Sequence, residues 1–420
     1  MQLSKLLYQG VFWRGISLAS VFILNLVISR VLGAEAFGEL FLLINFLSLA
    51  LLVSSLSLES ALGYYTARQQ LSVKTAAYFS IGWSAIATAL IVVFMLLTDN
   101  QFLPGRDFLW LCVLYLSGNL LVSFFSALFT ARQSYIIPNV WIALVNLGLC
   151  ALLLFGIDEL IFFIGFFASF FLQGAGMAIA WLLNFKNDVA REDKAPSFKT
   201  IMRYSLLVFV SNLIFFLVYR VDYWFVNYFI ESNAALGNYI QVSKLVQIFF
   251  IIPSILAATV FSYTAAGNQE LMKERIQQLS RIIFMVVLMA CGALAITGKW
   301  LFPFLFGNSF SGMYIPFLCL IPGIIAIATL YPYTAFYAGT DKVKHNITGA
   351  LLALIIILIG DVLLIPVAGI AGAAAVSSAG YITYEWYILW QFKKAFRLKV
   401  SDSFFIKRED YNLVARYFKS

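Results

Sequence analysis

The 420-residue chain is 62% apolar and 17% aromatic but only 11% charged, which leaves too few polar groups to wet soluble domains of that length. A secreted or cytosolic enzyme is excluded, and the chain is expected to lie in lipid. Its formal charge of +8 therefore has to be sorted by membrane side before it says anything about partners.

About 20 apolar residues cross roughly 30 Å of hydrocarbon. Twelve such segments follow one another almost edge to edge, at 11–32, 38–63, 75–98, 107–130, 136–156, 160–184, 201–227, 236–262, 279–299, 313–338, 346–366 and 369–392. The first ten residues are too short and polar for a leader, and no small-residue cleavage pattern follows the first span, so that span is expected to stay. Numbering the connections alternately puts 22 of the 28 Lys and Arg on the N-terminal side, and the positive-inside rule makes both termini cytoplasmic. The basic tail from Lys393 then lies against anionic membrane lipids, and nucleic acid is not expected as a partner.

The longest polar stretch, 185–199, separates a first six-helix lobe (1–184) from a second (200–392), with the tail at 393–420. Two six-helix halves joined on the cytoplasmic side have the same in/out sense, as in a parallel repeat. A short echo agrees: Phe37-Gly38-Glu39-Leu40 opens the second span and Leu236-Gly237-Asn238-Tyr239 the eighth. Pro316, Pro322 and Pro332 crowd into the tenth span, where each removes a helical hydrogen bond.

Chemistry is sparse. His345 is the single histidine, and Cys112, Cys150, Cys291 and Cys319 sit in apolar runs without ligand spacing, so neither a metal centre nor a cofactor is expected. No phosphate-binding Gly-x-x-x-x-Gly-Lys-Ser/Thr sequence occurs, so nucleotide hydrolysis is not the energy source. Ionisable groups inside apolar spans are costly and mark aqueous cavities or ion paths. Arg14 and Asn25 fall about 20° apart around the first helix, and Arg30 lies nearer the outer end, where snorkelling also explains it. Arg220 precedes Asp222 by two residues, so they point to opposite faces and need separate partners. Lys244 is flanked one turn away by Gln241 and Gln247, the clearest polar stripe in the second half. The expected substrate contacts are therefore Arg14, Asn25, Arg30, Arg220, Gln241, Lys244 and Gln247, and the expected ion-coupling acids are Glu59, Asp222, Asp361 and Glu385. A cationic set calls for an anion, and Arg forks with a Lys point charge match phosphate or diphosphate.

Ile28-Ser29-Arg30-Val31-Leu32-Gly33-Ala34-Glu35-Ala36-Phe37-Gly38-Glu39-Leu40 resembles the Arg-x-Leu-Gly-x-x-x-Phe-Gly signature at the first loop of polysaccharide exporters. A second stretch, Asp361-Val362-Leu363-Leu364-Ile365-Pro366 followed by Gly369-Ile370-Ala371-Gly372-Ala373-Ala374, resembles them too, with Asp361 where relatives often carry Asn. The whole chain is similar to the O-antigen flippases, in the superfamily that includes multidrug exporters and lipid II flippases. The resemblance implies an all-α integral membrane fold, with twelve helices in two six-helix lobes around a central cavity. It further implies a bacterial inner-membrane protein that is no enzyme. Such a protein would carry an undecaprenyl-pyrophosphate-linked oligosaccharide to the periplasmic leaflet by alternating access. A proton or sodium ion would drive the cycle, beside polysaccharide polymerase and chain-length proteins. Two other readings stand beside it: a membrane glycan polymerase or ligase, and an exporter of small amphiphiles. The outer connections are short and poor in His, Arg and acids, which disfavours the enzyme.

Overall fold

The computed structural model of the chain describes residues 3–97, 108–154, 159–185, 196–267, 269–396 and 404. Its elements are α1 (Leu3–Ser55), α2 (Leu58–Ala67), α3 (Val73–Leu97), α4 (Leu109–Ala131), α5 (Ile136–Leu154), α6 (Glu159–Asn184), α7 (Phe198–Ile230), α8 (Asn233–Ile248), α9 (Ile251–Ala265), α10 (Gln269–Phe306), a 3₁₀ turn (Asn308–Met313), α11 (Tyr314–Gly339) and α12 (Val343–Phe396). No strand occurs among the described residues.

At 1.5 Å per residue, the 53 residues of α1 and the 54 of α12 would each run about 80 Å, more than twice the hydrocarbon thickness. Both are broken by a glycine with positive φ, Gly33 (φ 69°, ψ 176°) and Gly369 (φ 59°, ψ −143°), backbone that a side chain would strain. Beyond Gly369 the chain doubles back: Gly372 packs on Leu364, Gly360 on Val376 and Gly380 on Ile357, an antiparallel pairing. The two stretches that resemble polysaccharide exporters are thus the two places where a long helix is broken.

Nine helices among the described residues are long and apolar enough to span a membrane, and α8 with α9 form one further span bent by 44°. Counting α1 and α12 as two each gives the twelve crossings read from the sequence; the chain is a multi-pass membrane protein. The expected span at 38–63 is interrupted near its end, because Leu56 (φ 50°) and Ser57 (φ 55°) are left-handed and separate α1 from α2. Side chains brace this break: Asn212 Nδ2 donates to Ser57 Oγ (3.0 Å), Trp83 Nε1 to Ser54 O (2.9 Å), and the Ser205 hydroxyl to Leu56 O.

Two compact units form, the first from Met1–Val31 with Leu42–Leu213 and the second from Leu32–Phe41 with Ile214–Ser420. The expected linker at 185–199 and tail at 393–420 lie largely outside the described residues.

In the first unit α4 packs on α2, α3 and α6, around a buried cluster that includes Phe124, Phe125, Phe129 and Trp181. A Cβ on Gly118 would stand 2.3 Å from the Phe170 carbonyl carbon, so only glycine lets α4 and α6 approach this closely. A buried polar chain ties α6, α5 and α1 together: Gln173 Nε2 donates to Asn146 Oδ1 (3.0 Å) and Asn146 Nδ2 to Ser20 Oγ (3.1 Å). Gln173→Leu strands the Asn146 oxygen and is expected to cost about 1 kcal/mol. Thermal unfolding in detergent reads this directly, and an unchanged midpoint would show that the chain of bonds contributes nothing.

In the second unit α11 packs on α9, α10 and α12. The segment Leu32–Phe41 is built into this unit through its glycine. A Cβ on Gly38 would lie 2.2 Å from Asn233 O, and one on Gly237 would lie 1.9 Å from Ala34 O. Polar contacts complete the joint, with Asn233 Nδ2 donating to Glu39 Oε1 (2.6 Å), Ala34 N to Ser309 Oγ (3.1 Å) and Asn238 Nδ2 to Ser309 O (3.0 Å).

Candidate functional site

Two buried carboxylates define the most unusual chemistry of the second unit. Asp222, 2% exposed on α7, accepts at Oδ2 from the Tyr239 hydroxyl of α8 and from Ser377 Oγ of α12 (3.0 Å). Its Oδ1 is buried with no hydrogen-bond partner. Asp361 of α12, 0% exposed, has no hydrogen-bond partner on either oxygen among the described residues. Leaving such oxygens unsatisfied costs several kcal/mol when the group is charged, so each carboxyl calls for a proton or a cation.

Beside Asp222 is a narrow cavity lined by Tyr219, Ser243, Gln247 and Tyr381 as well as Tyr239 and Ser377. The part open to the centre of a water is only about 10 Å³, at the lower bound for one ordered molecule. A small cation or a single water fits there; an organic solute does not. Among the described residues no group of three or more His, Cys, Asp or Glu could hold a metal ion. Any ion held in this cavity would meet one carboxylate, that of Asp222, with the hydroxyls around it.

The cations of this unit stand on aromatic faces. The Lys244 ammonium of α8 lies 2.9 Å from the centroid of the Phe41 ring and 5.2 Å from that of Phe37. The Arg220 guanidinium, one turn along α7 from Phe216, lies 5.8 Å from that ring. Both residues are half-buried. Ring faces lower the cost of holding a cation out of water. Arg220 and Asp222 have different partners, as their two-residue separation requires.

The remaining expected residues are dispersed. Gln241 is fully buried in α8, whereas Gln247 is exposed at its end and reaches the cavity beside Asp222. In the first unit Arg14 and Arg30 are exposed on α1 and Asn25 is half-buried. Glu59, half-buried at the start of α2, has one buried oxygen without a hydrogen-bond partner. Glu385, on the second half of α12, is bound by the Thr329 hydroxyl of α11 and is separate from the Asp222 and Asp361 pair.

Several partners escape a reading of the sequence. Tyr239 and Ser377 look like packing residues in apolar or small-residue runs, and Phe37 and Phe41 like core positions. One signal was available: Phe37 and Phe41 lie one turn apart on the segment that carries the Phe-Gly signature, so one face of that helix start presents two rings.

No protein-family model and no curated protein matches the chain. Solved structures do. A variant of the Vibrio cholerae MATE transporter VcmN superposes with a TM-score of 0.68 at 15% identity, over 94% of this chain and 97% of that one. A multidrug/oligosaccharidyl-lipid/polysaccharide (MOP) superfamily transporter from Pyrococcus furiosus gives 0.68 at 14% identity, over 95% and 96% of the two chains. The lipid II flippase MurJ gives 0.66 at 12% identity, over 94% and 88%. The chain has the fold of the MATE transporters and MurJ. This end-to-end likeness agrees with twelve crossings.

Proposed function

We propose that the chain is a flippase that moves an undecaprenyl-pyrophosphate-linked oligosaccharide from the cytoplasmic to the periplasmic leaflet of a bacterial inner membrane, with both termini cytoplasmic. The observation that carries this reading is the pairing of Arg220 with Lys244 in the second unit. Two cationic side chains in one membrane-embedded unit, Lys244 on the ring faces of Phe41 and Phe37 and Arg220 beside Phe216, match a doubly charged anion. A diphosphate has that charge and span. A pocket of reverse polarity suggests a different function for the Pyrococcus furiosus transporter. The same reasoning applied to Arg220 and Lys244 favours an anionic cargo over a cationic drug.

The task is intelligible physically. Each sugar hydroxyl without a partner costs several kcal/mol in hydrocarbon, so the headgroup needs a polar route while its lipid tail stays in the bilayer. The signature around Arg30 and Gly33 supports a polysaccharide cargo, and polymerase and chain-length proteins are the proposed neighbours. Asp222 and Asp361 are the proposed site of the coupling proton or sodium ion, since their unfilled oxygens lack a positive partner in this conformation.

The test is complementation of a host whose own oligosaccharide flippase has been deleted. The chain should restore surface polysaccharide, and the double variant Arg220→Ala, Lys244→Ala should lower it more than about tenfold, the effect of losing about 1.4 kcal/mol of headgroup binding. The MATE neighbours support a second reading, export of small amphiphiles. Full polysaccharide in the double variant, with drug resistance lost on replacing Asp222, would favour that reading and overturn the first.

A further inference from the structure

We propose that Glu385 is a proton-binding site in its own right, separate from Asp222 and Asp361, and that it carries its proton in the conformation seen here. The Thr329 hydroxyl has one hydrogen to give. Around its oxygen stand three acceptors: Ile325 O at 2.8 Å, Ala326 O at 3.1 Å and Oε1 of Glu385. If Glu385 were ionised, the single hydrogen could serve the carboxylate only by leaving Ile325 O, and two oxygens would face each other at hydrogen-bond distance with nothing between them. A carboxylic acid removes the conflict. Its O–H donates to Thr329 Oγ1, and Thr329 donates its own hydrogen to Ile325 O, the nearer of the two carbonyls, so the two closest oxygen pairs each contain one hydrogen.

The surroundings agree with a neutral acid. Glu385 is 9% exposed, and among the described residues it has no ion pair. Charged groups on the elements packed around this part of α12 are Arg220 and Asp222 of α7, Lys244 of α8 and, on α10 behind α11, Arg281. The titratable hydroxyls are Tyr219 of α7, Tyr239 of α8, Tyr331, Tyr333 and Tyr337 of α11, and Tyr381 and Tyr384 of α12 itself. Arg220 and Lys244 stand on rings, and Asp222 is bound by Tyr239 and Ser377. Arg281 is buried next to Ser280, whose hydroxyl reaches the Thr329 carbonyl at 3.5 Å.

Placement gives the proton a way out. Pro332 lies inside α11 three residues past Thr329, and having no N–H it leaves the Ala328 carbonyl without its helical donor. A helix bends most readily at such a point. Bending α11 there draws Thr329 away from α12. The carboxyl then loses the oxygen that accepts its hydrogen, meets water, and releases the proton as a carboxylate. Protonation does not depend on the cargo; that this proton drives transport rests on the flippase reading.

Infrared difference spectroscopy of the full chain in nanodiscs at neutral pH tests it, as wild type minus Glu385→Gln. The expected result is a protonated-carboxyl C=O band that shifts in D₂O, persists in Asp222→Asn, and disappears as pH is raised. Carboxylate stretches in that difference spectrum, with no C=O band, would overturn the proposal. Should Glu385→Gln fail to fold, Thr329→Val against Thr329→Ser serves instead. The valine variant should shift the same band and the serine variant leave it in place; a band indifferent to both would equally overturn it. A failure of the Arg220 and Lys244 test leaves this band untouched, so the two readings fall separately.

Discussion

Asp222→Asn and Asp361→Asn are each expected to lower surface polysaccharide in the complemented host by more than about tenfold, with the amount of protein in the membrane unchanged. The magnitude follows from the drive: one charge crossing 100 mV contributes about 2.3 kcal/mol, and every 1.4 kcal/mol is tenfold in an equilibrium. The fold should survive, because Asn at 222 keeps a carbonyl oxygen to accept from Tyr239 and Ser377. At 361 the two carboxylate oxygens have no hydrogen-bond partners to lose. Removing either negative charge removes the reason for a cation to bind. Reconstituted protein discriminates the ion: if sodium is the coupling ion, a sodium gradient alone should drive the wild type and neither variant, and if a proton is, a pH gradient alone should do so. Undiminished polysaccharide in both variants would exclude this pair from coupling.

Much of this architecture was legible in the sequence, because apolar length is a property of the chain itself. Twelve crossings follow from counting apolar residues, and the breaks at Gly33 and Gly369 fall inside the stretches whose residues resemble polysaccharide exporters. The break at Leu56 and Ser57 was not legible. Two left-handed residues without glycine persist there only because Asn212 and Ser205, about 150 positions later in the chain, hold the turn. The site was half legible for the same reason. A charge in an apolar run stands out, so Asp222, Lys244 and Glu385 could be named. Their partners could not, because Tyr239, Ser377, Thr329 and Phe41 are ordinary membrane-helix residues until the fold sets them against a charge. Helical phase separated Arg220 from Asp222 correctly as regards partners. It could not bring Arg220 and Lys244 together, since they lie on different helices.

Gly38→Ala and Gly237→Ala are expected to be the most disruptive single-methyl changes in the second unit. The two glycines occupy matching places in the echo between the second and eighth spans, and in the structure they face each other. The Gly38 Cβ would stand 2.9 Å from Gly237 N, and the Gly237 Cβ 3.1 Å from Gly38 N. The neighbours that must yield are backbone carbonyls, Asn233 O and Ala34 O, which cannot swing aside as a side-chain tip can. The helix starts must separate, and with them go the bonds from Asn233 to Glu39 and from Ala34 to Ser309. Overpacking of this kind costs about 1–3 kcal/mol before those bonds are counted. Gly82 and Gly148, where a Cβ would meet nothing within 4 Å, provide the control. Alanine there should be neutral or stabilising by up to about 1 kcal/mol, since it favours the helix. Thermal unfolding in detergent should therefore split the four variants into two opposed pairs. Equal midpoints for all four would show that Leu32–Phe41 does not pack on α8 through these glycines. Because Phe37 and Phe41 belong to the displaced segment, the first pair should also lose the ring faces over Lys244. The defect would then reach the cation without touching it.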